Sequence, residues 1–489
     1  MIPRRRLATA ILLAALGIGA LSIRVGHPYL HTDEITYMSA VLESMAQKTV
    51  FPVYGNGAFF VNKPPLSLWM MRLSSEVLEP SPFAARLPSV LFAAATGVVL
   101  YLFGAALFGE GAGILAALIF LFTPYPLVLH GIRSATPDAL EILLVTSAIV
   151  SLELWRRRRR PRMLACLVAL LGTVAWVKSP FALVVFLVYL LATELPARRA
   201  GRGTPRLVLT LALAVGVWTM AYLLWLGALS TQSSPRQVAR TLLVQQYARR
   251  IEGKMGKLEG PGYYLTTTVS DFGPLLLLPL AAGVFAFRSA FRKGWQPSGH
   301  DFACLAVWAV AAPLLATASA SKLPWYTYLS YPGIALLIAV SAQSLSERKA
   351  IQAAILAACV LALAWRVPAG DVWPAQARYR GLTGRLWELA SKDPDIVVVP
   401  GPNFELPRGR DDAYREARLF IRTLFWKQTQ VSPGPDPCRA TLVNRRRDMP
   451  GVEEWDVVEL HRPESRRRGS GLWMIDACNG WLRDQLAAP

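Results

Sequence analysis

Two adjacent acids open the polar stretch that follows the first apolar run, in His31-Thr32-Asp33-Glu34-Ile35-Thr36-Tyr37. Acids at such a boundary have an ordinary structural use: Thr32 or Asp33 caps a helix, and carboxylates favour the positive end of its dipole. They also have a chemical use, because a carboxylate at a membrane face can act as general base on an acceptor group. The same loop carries Asn62-Lys63-Pro64-Pro65-Leu66-Ser67-Leu68-Trp69. Pro64-Pro65 fixes the backbone and starts a helix. Lys63, just before it, either snorkels to lipid headgroups or meets a phosphate as a point charge. Arg86, in Phe83-Ala84-Ala85-Arg86-Leu87-Pro88, reads as a structural anchor or a ligand.

Elements that hold these residues follow from composition. The 489 residues are 53% hydrophobic and only 17% charged, with mean hydropathy +0.35. Soluble chains carry about 25% charge, so the membrane class is favoured. Apolar runs near 7–25, 84–107, 112–130, 138–155, 163–178, 180–195, 207–228, 271–288, 302–320, 325–343 and 350–366 give about eleven spans of roughly 20 residues. The first run, after Arg4-Arg5-Arg6, is expected to be an uncleaved span. The net charge of +20 sits in arginine clusters between spans, at Arg156 to Arg160 with Arg162, at Arg198-Arg199-Arg202 and at Arg288-Arg292-Lys293. That is the pattern of cytoplasmic loops and excludes a nucleic-acid binder. It places outer loops at 26–83 and 229–270 outside the cytoplasm, with the chain an inner-membrane protein.

Residues 1–366 thus form an all-helical polytopic membrane domain, and residues 367–489 a small extracytoplasmic α/β domain. In the latter, Leu382 to Ser391 and Asp411 to Phe425 read as helices, and Ile396 to Val399, Val457 to Leu460 and Leu472 to Ile475 as strands. Cys438 and Cys478 either pair there, in an oxidising compartment, or stay as thiols. No CxxC or Cys/His cluster signals structural zinc.

The order and spacing of Asp33-Glu34 with Tyr37, Lys63-Pro64-Pro65-Leu66 and Phe83 to Pro88 resemble the first outer loop of the aminoarabinose-transferase and protein-mannosyltransferase superfamily. Later segments are similar to further motifs of that superfamily: Arg133-Ser134-Ala135-Thr136-Pro137-Asp138 to its second acidic motif, and Lys178-Ser179-Pro180 to its Lys-Gly-Pro turn. Glu259-Gly260-Pro261-Gly262-Tyr263-Tyr264 and Ser321-Lys322-Leu323-Pro324-Trp325-Tyr326 extend the resemblance to about residue 345. All fall on the outer side of the topology drawn from Lys and Arg alone, where grouped charges compensate one another.

The resemblance implies the C-type glycosyltransferase fold and an inverting transfer of sugar from a polyprenyl-phosphate donor to an envelope lipid, glycan or protein. Asp33 is then the base, Asp138 the second acid, and Glu34, Tyr37, Lys63, Arg133, Lys178, Glu259 and Lys322 the substrate-binding set. Relatives in the aminoarabinose branch commonly hold a divalent cation through a Glu before Lys-Pro-Pro and a His before the Glu-Gly-Pro-like turn. This sequence has Asn62 and Leu258 there, so no cofactor is expected, with a cation held by other acids the alternative. A transporter or flippase of lipid-linked sugars is the rival class; grouping of the charges on one face and the lack of a repeated half disfavour it.

Overall fold

The structure is a computed structural model that describes residues 3–23, 25–26, 32–52, 60–128, 130–178, 180–199, 201–231, 238, 257–281 and 299–344. It also describes the strand backbones at 396–400, 438–443, 456–461 and 472–476. The chain divides into two compact units, one of residues 1–27 and 40–372 and one of residues 28–39 and 373–489.

The first unit is helical. Its elements are α1 (Arg4–Ser22), the end of α2 (Thr32–Ala46) from residue 40 on, α3 (Leu66–Leu78), α4 (Pro82–Leu107), α5 (Glu110–Leu121), α6 (Pro124–Val128) and α7 (Asp138–Arg158). α8 (Pro161–Val174), α9 (Phe181–Arg199), α10 (Leu207–Ser230), α11 (Tyr263–Phe272), α12 (Gly299–Thr317) and α13 (Tyr331–Ser344) follow. Four described helices, α1, α4, α9 and α10, are long and apolar enough to cross a membrane, and α5, α8 and residues 301–317 are shorter apolar helices. α7 has the length, 21 residues, but carries charge at both ends. α1 and α10 leave Leu12, Val208, Met220 and Leu224 exposed, a surface suited to lipid and not to water. The chain is a multi-pass membrane protein.

Local sequence explains the boundaries. Ser81 caps α4 by accepting from the Ala84 amide at 3.1 Å, with Pro82 in the first turn where its missing N–H costs nothing. α4 then presents Ala93, Ala94, Gly97 and Gly104 as buried small residues, and α5 packs against it. A Cβ on Gly104 would lie 2.8 Å from the Gly113 Cα. Gly104→Ala is therefore expected to destabilise the bundle by about 1–3 kcal/mol, the usual cost of overpacking, read as a lowered unfolding midpoint in detergent. An unchanged midpoint would show that α4 and α5 separate without loss.

Several expected spans are corrected in detail. The run at 112–130 is not one helix: α5 stops at Leu121, because Pro124 and Pro126 disfavour helical backbone before them, and α6 is a separate short turn. The run at 325–343 begins as a 3-10 helix, Pro324–Ser330, and becomes α-helical only at Tyr331. The run at 163–178 ends as helix at Val174. The run at 350–366 lies outside the described residues, and that at 271–288 is described only to residue 281.

At the far end of α7 a buried network joins three elements. Arg156, 1% exposed, donates to Glu153 at 2.8 Å, Thr193 at 2.9 Å, Thr204 at 2.9 Å, the Leu190 carbonyl at 3.2 Å and Glu194 at 3.3 Å. Thr204 adds a 2.5 Å bond to Glu194. The α7–α8 and α9–α10 turns are thereby fixed to one another.

The second unit contains the first residues of α2 and a four-stranded sheet. Its strands are β3 (Ile396–Pro400), β4 (Cys438–Val443), β5 (Asp456–His461) and β6 (Leu472–Asp476); β1 (Lys257–Leu258) and β2 (Ser321–Lys322) belong to the first unit. The order is β3-β4-β6-β5, with β3 and β4 parallel and the other pairs antiparallel. Three strands match the sequence expectation; β4, which begins at Cys438, was not among them. The expected helices at 382–391 and 411–425, and Cys478, lie outside the described residues.

Candidate active site

The first turn of α7 supplies the acids. Asp138 and Glu141 are three positions apart, so they share a helix face, and the dipole of α7 favours both. Both are buried. Lys178, in the break between α8 and α9, points its ammonium between them, 2.6 Å from Asp138 Oδ1 and 3.2 Å from Glu141 Oε2. A buried cation with two carboxylates is stable only where the pairing is close, and here it is. Among the described residues Glu141 Oε1 is buried without a hydrogen-bond partner.

Lys63 reaches the same place. The Leu66 amide, next to Pro64-Pro65, donates to the Trp176 carbonyl at 3.0 Å, and Trp69 packs against Trp176 with ring centroids 5.6 Å apart. The Lys-Pro-Pro segment is thus fastened to the turn that carries Lys178. Lys63 is half-buried beside that turn.

His130 completes the cluster, with Nδ1 4.0 Å from Asp138 Oδ2 and its ring stacked on Trp325 at 4.0 Å and 21°. It sits at φ +48°, and the chain turns sharply beside it. A Cβ on Gly131 would fall 2.0 Å from the Pro126 carbonyl oxygen, so only glycine fits there.

The late turn is tied in from the other side. β1 and β2 pair antiparallel, with Lys257 opposite Lys322 and Leu258 opposite Ser321. The Glu-Gly-Pro and Lys-Leu-Pro segments therefore meet across the chain. Lys322 is buried and donates to the Thr317 carbonyl at 2.7 Å and to the Ser319 carbonyl, with its Nζ 5.8 Å from the Tyr264 ring centre. Tyr264 in turn accepts from the Leu323 amide at 3.2 Å. Glu259 is exposed just beyond β1.

Arg133 holds main chain. It donates to the Leu21 carbonyl at 2.9 Å and to the Ile23 carbonyl, while Arg86 donates to the Val25 carbonyl at 2.9 Å. The two arginines cap the carbonyl end of α1. Burial, with the nearby Arg86 charge, lowers the Arg133 guanidinium to about 10, which leaves it charged at neutral pH.

Asp33, Glu34 and Tyr37 lie in the first turns of α2, as expected for acids at a helix start; Asp33 is half-buried and the other two buried. They belong to the second unit. Sequence reasoning missed Glu141 and His130. The i, i+3 spacing from Asp138 could have found Glu141, since one helix face presents both. His130 has no comparable signal; tertiary packing alone brings its ring to Trp325.

Residues 62–226, about a third of the chain, match the profile of the family described as dolichyl-phosphate-mannose-protein mannosyltransferase. No curated protein sequence matches the chain. Among solved structures, ArnT from Cupriavidus metallidurans in the apo state superposes with a TM-score of 0.66 at 15% identity, over 99% of both chains. The same protein bound to undecaprenyl phosphate gives 0.65 at 14%, again over 99% of both chains. The archaeal oligosaccharyltransferase AglB from Archaeoglobus fulgidus, in complex with an inhibitory peptide and a dolichol-phosphate, gives 0.51 at 13% over 80% of this chain and 58% of its own. The chain has the C-type glycosyltransferase fold. Within that fold Lys63, Arg133, Asp138 and Lys178 all fall inside the segment matched by the family profile, whereas Asp33, Glu259 and Lys322 fall outside it.

Proposed function

We propose that this protein transfers a sugar from a polyprenyl-phosphate donor to an acceptor of the cell envelope, which is a lipid A-like glycolipid, a glycan or a protein. The observation that carries the proposal is the convergence of Lys63, Lys178, Asp138 and Glu141 at one end of a bundle whose fold resembles that of ArnT bound to undecaprenyl phosphate. A transporter binds its cargo near the middle of the membrane, and these charges sit at helix ends. The site and the second unit then face away from the cytoplasm, in keeping with the arginine-rich turns at the opposite end of α7.

The reaction is a single displacement. An acceptor oxygen or nitrogen bonds to the anomeric carbon as the bond from that carbon to the phosphate oxygen breaks, which inverts the centre. The acceptor proton passes to Asp33 and the electron pair leaves with the polyprenyl phosphate. Lys63, which its Lys-Pro-Pro motif marks, is the first cation for the departing phosphate, with Arg133, Lys178 and Lys322 the further candidates. Asp138, held by the Lys178 ammonium at 2.6 Å, orients the sugar or the cationic groups around it. Glu34, Tyr37 and Glu259 complete the binding set by their motifs.

The reading needs no resident divalent cation: Asn62 is a weak neutral ligand and Leu258 is none, and a hard ion held by Glu259, Asp33 and Asp138 is the alternative. Purified protein in detergent is expected to transfer sugar from a polyprenyl-phosphate donor to envelope acceptors, identified by mass spectrometry. EDTA should leave the rate within about twofold, since the lysines supply the positive charge. Absence of transfer to any envelope fraction would reject the function. Loss on chelation with recovery on added zinc, magnesium or manganese would reject only the metal-free mechanism.

A further inference from the structure

α7 spans about 30 Å from Asp138 to Arg158 at 1.5 Å per residue, the thickness of a bilayer core. If its first turn is at one membrane face, its last turn is at the other. The α7–α8 turn there exposes Arg158, Arg159, Arg160 and Arg162, and the α9–α10 turn exposes Arg198, Arg199 and Arg206. The Arg159 guanidinium donates to the Gly203 carbonyl at 2.8 Å, so the two turns form one surface. The Arg156 network below makes that surface rigid.

The carboxylates nearby are already engaged. Glu153 and Glu194 hold Arg156, Glu194 also holds Arg198 at 2.7 Å, and Asp301 holds Arg157 and Arg202. Among the described residues, the other six exposed arginines form no ion pair. Exposed apolar side chains lie on α9 and α10, within about two turns of Arg199 and Arg206 along the chain. Leu191 and Leu195 are exposed on the last turns of α9, and Val208, two residues past Arg206, is 80% exposed. Guanidinium groups at the headgroup level with exposed aliphatic side chains just inside match one kind of partner, which has a phosphate at one end and acyl chains at the other.

We propose that this face is a binding site for an anionic phospholipid, with the headgroup phosphate held between the α7–α8 and α9–α10 turns and the acyl chains along Leu191, Leu195 and Val208. Planar guanidinium donors suit phosphate oxygens, which accept two parallel hydrogen bonds. The site is separate from the sugar-transfer reading and stands without it.

The test uses the full chain in a neutral detergent with phosphatidylglycerol or phosphatidylcholine, read by lipid retention in native mass spectrometry. Wild type is expected to retain phosphatidylglycerol in preference. The triple variant R160Q/R162Q/R199Q, at positions outside the Arg156 network, should bind it about a hundredfold more weakly, from about fivefold per basic residue at a membrane surface. Its phosphatidylcholine retention should not change. Equal retention of the two lipids by wild type, or full phosphatidylglycerol affinity in the triple variant, would overturn the proposal. Displacement of the lipid by an equal concentration of inorganic phosphate would overturn it too, as the mark of a simple anion site. Should the triple variant unfold, wild type alone decides. Its preference should fade as salt rises from about 0.1 M to about 1 M and the screening length shrinks from about 10 Å to about 3 Å, and a salt-independent preference contradicts the site.

Discussion

Asp33→Asn is expected to lower sugar transfer by about a hundredfold or more at unchanged expression, because the amide keeps the shape of the carboxylate and cannot take a proton. Asp33 sits in the first turn of α2, half-buried, with Glu34 buried beside it. If Asp33 merely caps that helix, Asn is an equally good residue there, and transfer should be near normal. The substitution therefore separates the two uses of the acid. The loss should appear in kcat with KM for the donor largely kept, since the base acts on the acceptor. Glu34→Gln serves as the neighbour control, with a smaller loss. Near-normal turnover in Asp33→Asn would remove the base from the mechanism while leaving donor recognition by Lys63 intact.

Lys178→Met is expected to cost about 3–5 kcal/mol of stability, the usual penalty for removing one partner of a buried ion pair. Met fills a similar volume, so packing loss is small. What remains is two buried carboxylates, Asp138 and Glu141, without the ammonium that lay 2.6 Å and 3.2 Å from them. One of them must then take up a proton or draw in water. The double variant Lys178→Met/Asp138→Asn should recover part of the loss, because it removes both ends of the shorter pair and leaves only Glu141 to be neutralised. Unfolding midpoints in detergent measure both. A single variant within about 1 kcal/mol of wild type would show that water already reaches the cluster and screens it. Transfer activity should fall in both variants, since Lys178 fixes the orientation of Asp138.

How much of the site was legible differs residue by residue. Asp138 and Lys178 stood in motifs, but nothing in their forty-residue separation says that they touch. Arg133 and Lys322 looked like phosphate ligands by charge and position. The structure places their donors on carbonyls at Leu21 and Ile23 and at Thr317 and Ser319. A sequence records that a cation is present; whether it meets substrate or main chain depends on where helices end in space.

Composition and the placement of arginines were enough for the membrane class and for which turns share a face. Desolvation of charge is so costly in hydrocarbon that it is written into the sequence as long uncharged runs with charges confined to their ends. Short motifs around Asp33, Lys63, Asp138 and Lys322 were enough to suggest the fold, which superposes on ArnT although identity is only 15%. Only the tertiary structure decided that Pro124 and Pro126 interrupt the third span and that His130 stacks on Trp325 beside Asp138. It alone decided that Leu66 hydrogen-bonds to Trp176 and so brings Lys63 to Lys178. Those contacts join residues far apart in the chain, and they arise from packing among helices whose apolar faces carry no marker of their partner.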